Sequence, residues 1–148
     1  MNEMLNRAHS ISLRFLRYRP RTREEVRRRL RREKFPEEII ATVMTERENE
    51  GWFDDLAFSK RWIEERLHTR GLSLQAIRRE LRQKGVDEET IQEAIESVSF
   101  DEKEVVFSLL NKKSRSLESH KLTQFLVRRG YSFEKAREYV KQWQEKQK

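Results

Sequence analysis

The chain has 148 residues, 35% hydrophobic and 40% charged, with a formal net charge of +7, a pI near 9.9 and no cysteine. That composition excludes disulfides, thiolate metal sites and a cysteine nucleophile, and no apolar run is long enough to cross a bilayer. The polar balance approaches that of disordered chains, but aromatics are spread along the whole sequence, and only four Gly and two Pro interrupt helical spacing. The opening Met1-Asn2-Glu3-Met4-Leu5 lacks the basic region and apolar stretch of a secretory signal, so a cytoplasmic protein is expected.

Ile11, Phe15, Leu16 and Tyr18 mark the apolar face of a first helix. Pro20 ends it, because the residue before a proline avoids the α region. Thr22 opens a second helix, with Glu25 completing a capping box, and a tight turn at Lys34-Phe35 closes it. Pro36 at the first helical position starts a third, which buries Ile39, Ile40, Val43 and Met44 and stops at a left-handed Gly51. Asp54 caps a fourth helix carrying Leu56, Phe58, Trp62, Ile63 and Leu67, broken by Gly71. Ser73 caps a fifth that ends at Gly85, and Asp87 a sixth with Ile91, Ala94, Ile95 and Val98 inward. Ser99 and Glu102 read as a capping box before Val105, Val106, Leu109 and Leu110. Helices over 117–129 and 132–146, parted by Gly130, complete nine.

These helices repeat. Val26-Arg-Arg-Arg-Leu30, Ile77-Arg-Arg-Glu-Leu81 and Leu122-Thr-Gln-Phe-Leu126 share one spacing at offsets of 51 and 45. Phe35, Val86 and Tyr131 keep the register, as do Pro36, Asp87 and Ser132, and then Ile40, Ile91 and Ala136. Upstream, Thr22 aligns with Ser73 and Leu16 with Leu67. The expected fold is all-α, a tandem array of three divergent three-helix repeats over 1–53, 54–98 and 99–148. Each copy has too few large apolar side chains for a thick core, so an elongated, curved row is expected.

Charge follows the same division: residues 1–53 carry a net +4, residues 54–100 a net −2 and residues 101–148 a net +5. Between Arg14 and Lys34, eleven Lys/Arg face only Glu24, Glu25 and Glu33. Val26 and Leu30 fix the buried side, so Arg28, Arg31 and Arg32 should point outward, beside Arg19, Arg21 and Lys34. Such density neutralises phosphates with counterion release, and guanidinium forks meet phosphate or carboxylate through two hydrogen bonds. The plainer alternative is a solvated face of i,i+4 pairs, which eleven cations with three partners strain. Arg79, Arg82 and Lys84 on the matching helix of the second copy, and Arg128 and Arg129 on that of the third, extend the pattern into a basic strip. All these residues are candidate contacts for a partner or for DNA. The acidic Glu88, Glu89, Glu93 and Glu96 offer intramolecular partners, and also suit a basic protein surface.

Trp52, Phe53, Trp62 and Trp143 have rings able to stack on bases, but helical spacing beside Leu and Ile favours a core role, above all for Trp62. His9, His68 and His120 stand far apart, each read as near a helix end, so neither a metal nor another cofactor is expected. Asp54-Asp55 reads as capping rather than as a catalytic pair. With no phosphate loop and no nucleophile motif, the chain is not expected to be an enzyme.

The segment Glu50-Gly51-Trp52-Phe53-Asp54-Asp55-Leu56-Ala57-Phe58, followed by Arg66, Arg70-Gly71, Glu80-Leu81 and Lys84-Gly85-Val86, resembles the most distinctive stretch of the RecX family. Leu16, Arg19, Thr22, Glu25, Leu30 and Phe35-Pro36 resemble that family's opening module. The resemblance runs over 8–143, is strongest over 50–95, and is weak over the third copy. Leu56-Ala57-Phe58-Ser59 varies the family's usual Phe-Ala order. The resemblance implies a regulator that binds RecA–DNA filaments and mainly inhibits RecA ATPase, strand exchange and co-protease activity in DNA repair. Single- and double-stranded DNA would be weak, salt-dependent partners of a monomer. Two other readings remain: a helix-turn-helix-like DNA-binding or architectural protein without a RecA partner, and a helical-repeat scaffold for an unrelated protein.

Overall fold

The computed structural model describes residues 2–113 and 117–147, whose regular structure is all helical, with no strand among them. In order come α1 Asn2–Tyr18, α2 Arg23–Arg32, α3 Glu37–Asn49, α4 Asp55–Glu65, α5 Leu74–Gln83, α6 Glu88–Ser97, α7 Glu102–Asn111, α8 Ser119–Arg128 and α9 Phe133–Lys146. A π-turn, Arg66–Arg70, prolongs α4 and ends at left-handed Gly71, φ 61°.

The described residues form two compact units, Met1–Ser59 with Leu81–Ala94, and Lys60–Glu80 with Ile95–Lys148. In the first, α1, α2 and α3 pack against one another around Leu16, Val26, Leu30, Phe35, Ile40 and Val43. In the second, α7 and α8 pack on α9 around Val106, Leu110, Leu122, Leu126, Val140 and Trp143. The Trp143 indole donates to Asn111 Oδ1 at 2.8 Å, which satisfies the one polar atom of a buried ring.

Each second helix carries the same two fully buried residues: Val26 and Leu30, Ile77 and Leu81, Leu122 and Leu126. Each also ends in the same turn. The N–H groups of Phe35, Val86 and Tyr131 donate to the carbonyls of Leu30, Leu81 and Leu126 at 3.0–3.3 Å. Those of Lys34, Gly85 and Gly130 donate to Arg31, Arg82 and Val127 at 2.9 Å. This paired closure requires a left-handed residue after the helix, and φ is 64°, 86° and 98° at the three positions. Two copies supply glycine there and the first supplies Lys34, whose Cβ crowds the carbonyl. Lys34→Gly is therefore expected to stabilise the chain by about 0.5–1 kcal/mol, the left-handed penalty less the entropy of the freer unfolded glycine. A higher urea midpoint at unchanged m would show it, and an unchanged midpoint would deny strain at Lys34.

Several ends differ from the sequence reading. Tyr18, expected on the apolar face of α1, is 83% exposed. The buried stripe is Ala8, Ser12 and Leu16, with Ile11 and Phe15 on its flank. Pro36 is the N-cap of α3 rather than its first residue, with ψ 150°. The cap of α7 is Asp101, not Ser99; its carboxylate accepts from the N–H of Lys103 at 2.9 Å and of Glu104 at 3.3 Å. α8 begins at Ser119 behind Glu118, which stands in register with Thr22 and Ser73. Thr22, Asp54, Ser73 and Asp87 cap as expected, and Ser132, expected as the first residue of the last helix, is its N-cap.

Candidate interaction surface

α2 exists in a stretch this charged because Thr22 and Glu25 close a reciprocal capping box, while Glu24 and Glu25 lie at its positive end. Burial of Val26 and Leu30 turns Arg28, Arg31 and Arg32 outward, and all three are exposed. Their partners are more numerous than local spacing suggested. Arg19 meets Glu25 at 3.3 Å, Arg31 meets Glu37 at 3.0 Å and Arg29 meets Glu33 at 3.1 Å. Arg23 pairs with Glu48 and, at 3.5 Å, with Asp55. Arg28 donates to the Gln83 carbonyl, and Arg82 pairs with Glu88. Arg32, Lys34, Arg79 and Arg128 are exposed and form no ion pair among the described residues.

Two of the candidate contacts hold their own unit together. In the first unit Thr22 Oγ1 donates to the Lys84 carbonyl at 2.6 Å, and Lys84 Nζ reaches Glu25 at 3.3 Å. Burial alone would raise the Glu25 carboxyl, but the Thr22 N–H, Lys84 and Arg19 outweigh it and hold the group below its ordinary range. In the second unit the Arg129 carbonyl accepts from the Ser73 N–H at 2.9 Å, and Arg129 Nε donates to the Arg70 carbonyl at 3.1 Å. The Arg129 guanidinium also lies 3.8 Å from the Phe125 ring centroid. Tyr131 OH donates to the Gly71 carbonyl at 3.0 Å, and burial raises its pKa far above the usual phenol value. In both units the turn after one second helix docks on the N-terminus of another.

Beside α2, the end of α1 forms an open cleft of about 540 Å³. Ile11, Phe15 and Tyr18 supply its apolar surface, and Arg14, Arg17, Arg21 and Arg29 its rim. Arg21 places its guanidinium over Phe15, 3.7 Å from the ring centroid, and donates through Nε to the Phe15 carbonyl at 3.2 Å. Burial, and then the charge of Arg19, lower its pKa. These arginines belong to the cluster between Arg14 and Lys34, but the cleft itself is a product of packing. Its one local signal is the spacing of Arg14, Arg17 and Tyr18 on a single helix face.

The remaining candidates have structural surroundings. Asp54 Oδ1 accepts from the Ala57 N–H at 3.0 Å, while Asp55 is half-buried, its carboxyl raised by burial against the opposing pull of Arg23. Trp62 is half-buried under the Arg66 guanidinium, 4.0 Å from its ring, and donates to Glu80 at 3.1 Å. Phe53 and Trp143 are buried, and Trp52 sits at the edge of exposure. Of the histidines, His68 lies in the last turn before Gly71 and His120 at the start of α8, both near helix ends as expected, though a cation is disfavoured at the latter. His9 departs from the expectation, lying inside α1 against Glu46 at 3.2 Å. Among the described residues, no group of three His, Asp or Glu is placed to hold a metal, and no helix is long and apolar enough to cross a membrane.

Residues 8–46 match the family model for the RecX first three-helix domain, and residues 54–95 that for the RecX second three-helix domain. Regulatory protein RecX of Thermobifida fusca is 35% identical over 138 residues, covering 88% of this chain and 75% of that protein. The chain belongs to the RecX family. Regulatory protein RecX of Streptomyces coelicolor is likewise 35% identical, over 93% of this chain and 78% of that protein. The crystal structure of RecX from Lactobacillus salivarius shares the fold, with a TM-score of 0.78 over 97% of this chain and 99% of that one at 20% identity. The turn stretch around Gly51–Val86, which carried the resemblance, runs through the second matched domain.

Proposed function

We propose that this RecX-family chain binds RecA–DNA filaments and restrains RecA ATPase, strand exchange and co-protease activity, with no catalytic step of its own. The observation that carries the reading is 35% identity, across most of the chain, to proteins named regulatory protein RecX. Exposed arginines on α2 support contact with an anionic filament. The contact set is Arg19, Arg21, Arg28, Arg31, Arg32 and Lys34, then Arg79, Arg82 and Lys84, then Arg128 and Arg129. Within it Arg32, Lys34, Arg79 and Arg128 are the better choices, since no intramolecular pair among the described residues must break first. The chain acts as a cytoplasmic monomer without cofactor, built of three repeats over 1–53, 54–98 and 99–148.

RecA turnover on single-stranded DNA, with this protein added below DNA-saturating amounts, tests the reading. Turnover should fall, and the protein should sediment with filaments. Arg32→Glu with Lys34→Glu should weaken that inhibition roughly tenfold, as loss of two charge contacts implies, with helicity unchanged. Unchanged turnover together with absence from the filament pellet would overturn it. DNA binding surviving that result would favour the architectural reading instead.

A further inference from the structure

We infer that the α1–α2 cleft is a subsite for one unpaired nucleotide of single-stranded DNA, with Tyr18 as the stacking platform. Phe15 already has one face covered by the Arg21 guanidinium at 3.7 Å. Tyr18, at 83% exposure, is the more open ring: the same Arg21 guanidinium stands 5.8 Å from its centroid, against 3.7 Å for Phe15, and leaves most of the phenol in solvent. Four guanidiniums line the cleft and no carboxylate does. Arg29 shares its charge with Glu33 at 3.1 Å, but Arg14 and Arg17 have no ion pair among the described residues. A cation or a basic peptide is repelled there.

The end of a helix ordinarily turns its carbonyls, and hence negative charge, toward a ligand. Here Arg21 Nε occupies the Phe15 carbonyl, so a guanidinium covers that carbonyl beside the cleft. A phosphate between Arg14 and Arg17 completes the charge, and a base lies on Tyr18. This pairing of a cationic groove with an open aromatic ring is the usual chemistry of single-strand binding, in which stacking tolerates every base. A duplex keeps its bases stacked inside and can offer Arg14 and Arg17 only its phosphates. An acidic peptide also satisfies the arginines, but its side chains need enclosure, whereas Tyr18 offers an open slab. The inference concerns the nucleic-acid half of the reading above, and its test contains no RecA, so the two can fail separately.

The test is fluorescence anisotropy of the full chain with labelled (dT)15, a 15-base-pair duplex and a labelled Asp/Glu-rich peptide containing Phe. Tyr18→Ala, an exposed site whose loss leaves the core intact, should weaken (dT)15 binding about 5- to 100-fold and duplex binding less than about twofold. Tyr18→Phe should bind as the parent does. Arg14→Gln with Arg17→Gln should weaken both DNA forms and make the salt slope for (dT)15 shallower by roughly 0.7, the loss of one phosphate contact. Parental (dT)15 affinity in Tyr18→Ala, equal losses on single strand and duplex, or Tyr18-dependent capture of the peptide without (dT)15 would each overturn the assignment.

Discussion

Gly85→Ala is expected to remove roughly 2–5 kcal/mol of stability, against about 1–2 kcal/mol for Gly51→Ala. Both glycines are left-handed, at φ 86° and 80°, so both substitutions carry the same backbone penalty. They differ in what a methyl group meets. At Gly51 nothing lies within 4 Å, whereas at Gly85 the new Cβ falls well inside contact distance of Glu24 Cβ on α2. Relief would require the 84–87 turn to withdraw from the N-terminus of α2, breaking the Thr22 and Lys84 bonds that hold it there. Gly130→Ala belongs to the same class, since its Cβ would lie 2.7 Å from Ala76 Cβ. Against a total of about 5–15 kcal/mol for a small domain, such a loss leaves little folded margin. Urea unfolding of the three variants decides it: equal losses would mean that the close approach carries no energetic weight.

That comparison also marks what could be read from the sequence. Glycine after each second helix is a local signal, and so is the register that places Leu30, Leu81 and Leu126 in equivalent buried positions. Side-chain periodicity and capping chemistry act over three or four residues, which is why the helices fall close to where the spacing puts them. Tertiary partners carry no such signature. The clash behind Gly85 involves Glu24, far away in the chain, and the acids that neutralise the α2 arginines include Glu37, Glu48 and Asp55. Counting only nearby carboxylates therefore overstated the free charge of the cluster. Tyr18 failed for a related reason. Spacing identifies residues that share a face, but two stripes on α1 were available, and packing on α2 and α3 selected Ala8, Ser12 and Leu16. The displaced stripe became one wall of the cleft.

Arg47 shows the same limit more sharply, because Thr45-Glu-Arg-Glu48 reads as a solvated helix face. Its side chain is only 5% exposed, one turn beyond Val43 on the buried side of α3. One terminal nitrogen donates to Ser12 Oγ at 3.2 Å, the other meets Glu50 at 2.7 Å and Glu46 at 3.6 Å, and Nε has no partner. Glu46 and Glu50 are 51% and 47% exposed, so water takes over their charge if Arg47 is removed. The guanidinium is the desolvated member of the group, and an imperfectly satisfied one. Its contribution should therefore come mainly from filling space and from the bond to Ser12, not from the ion pairs. Arg47→Ala is expected to cost about 2–4 kcal/mol by opening a cavity beside Ser12. Arg47→Met, which keeps the stem and removes the buried charge, should cost under about 1 kcal/mol. Arg47→Glu should exceed the alanine loss, since it buries a carboxylate beside Glu46 and Glu50. Urea midpoints for the series separate the two accounts: a methionine variant as unstable as the alanine one would show that charge pairing, rather than packing, holds α3 to α1.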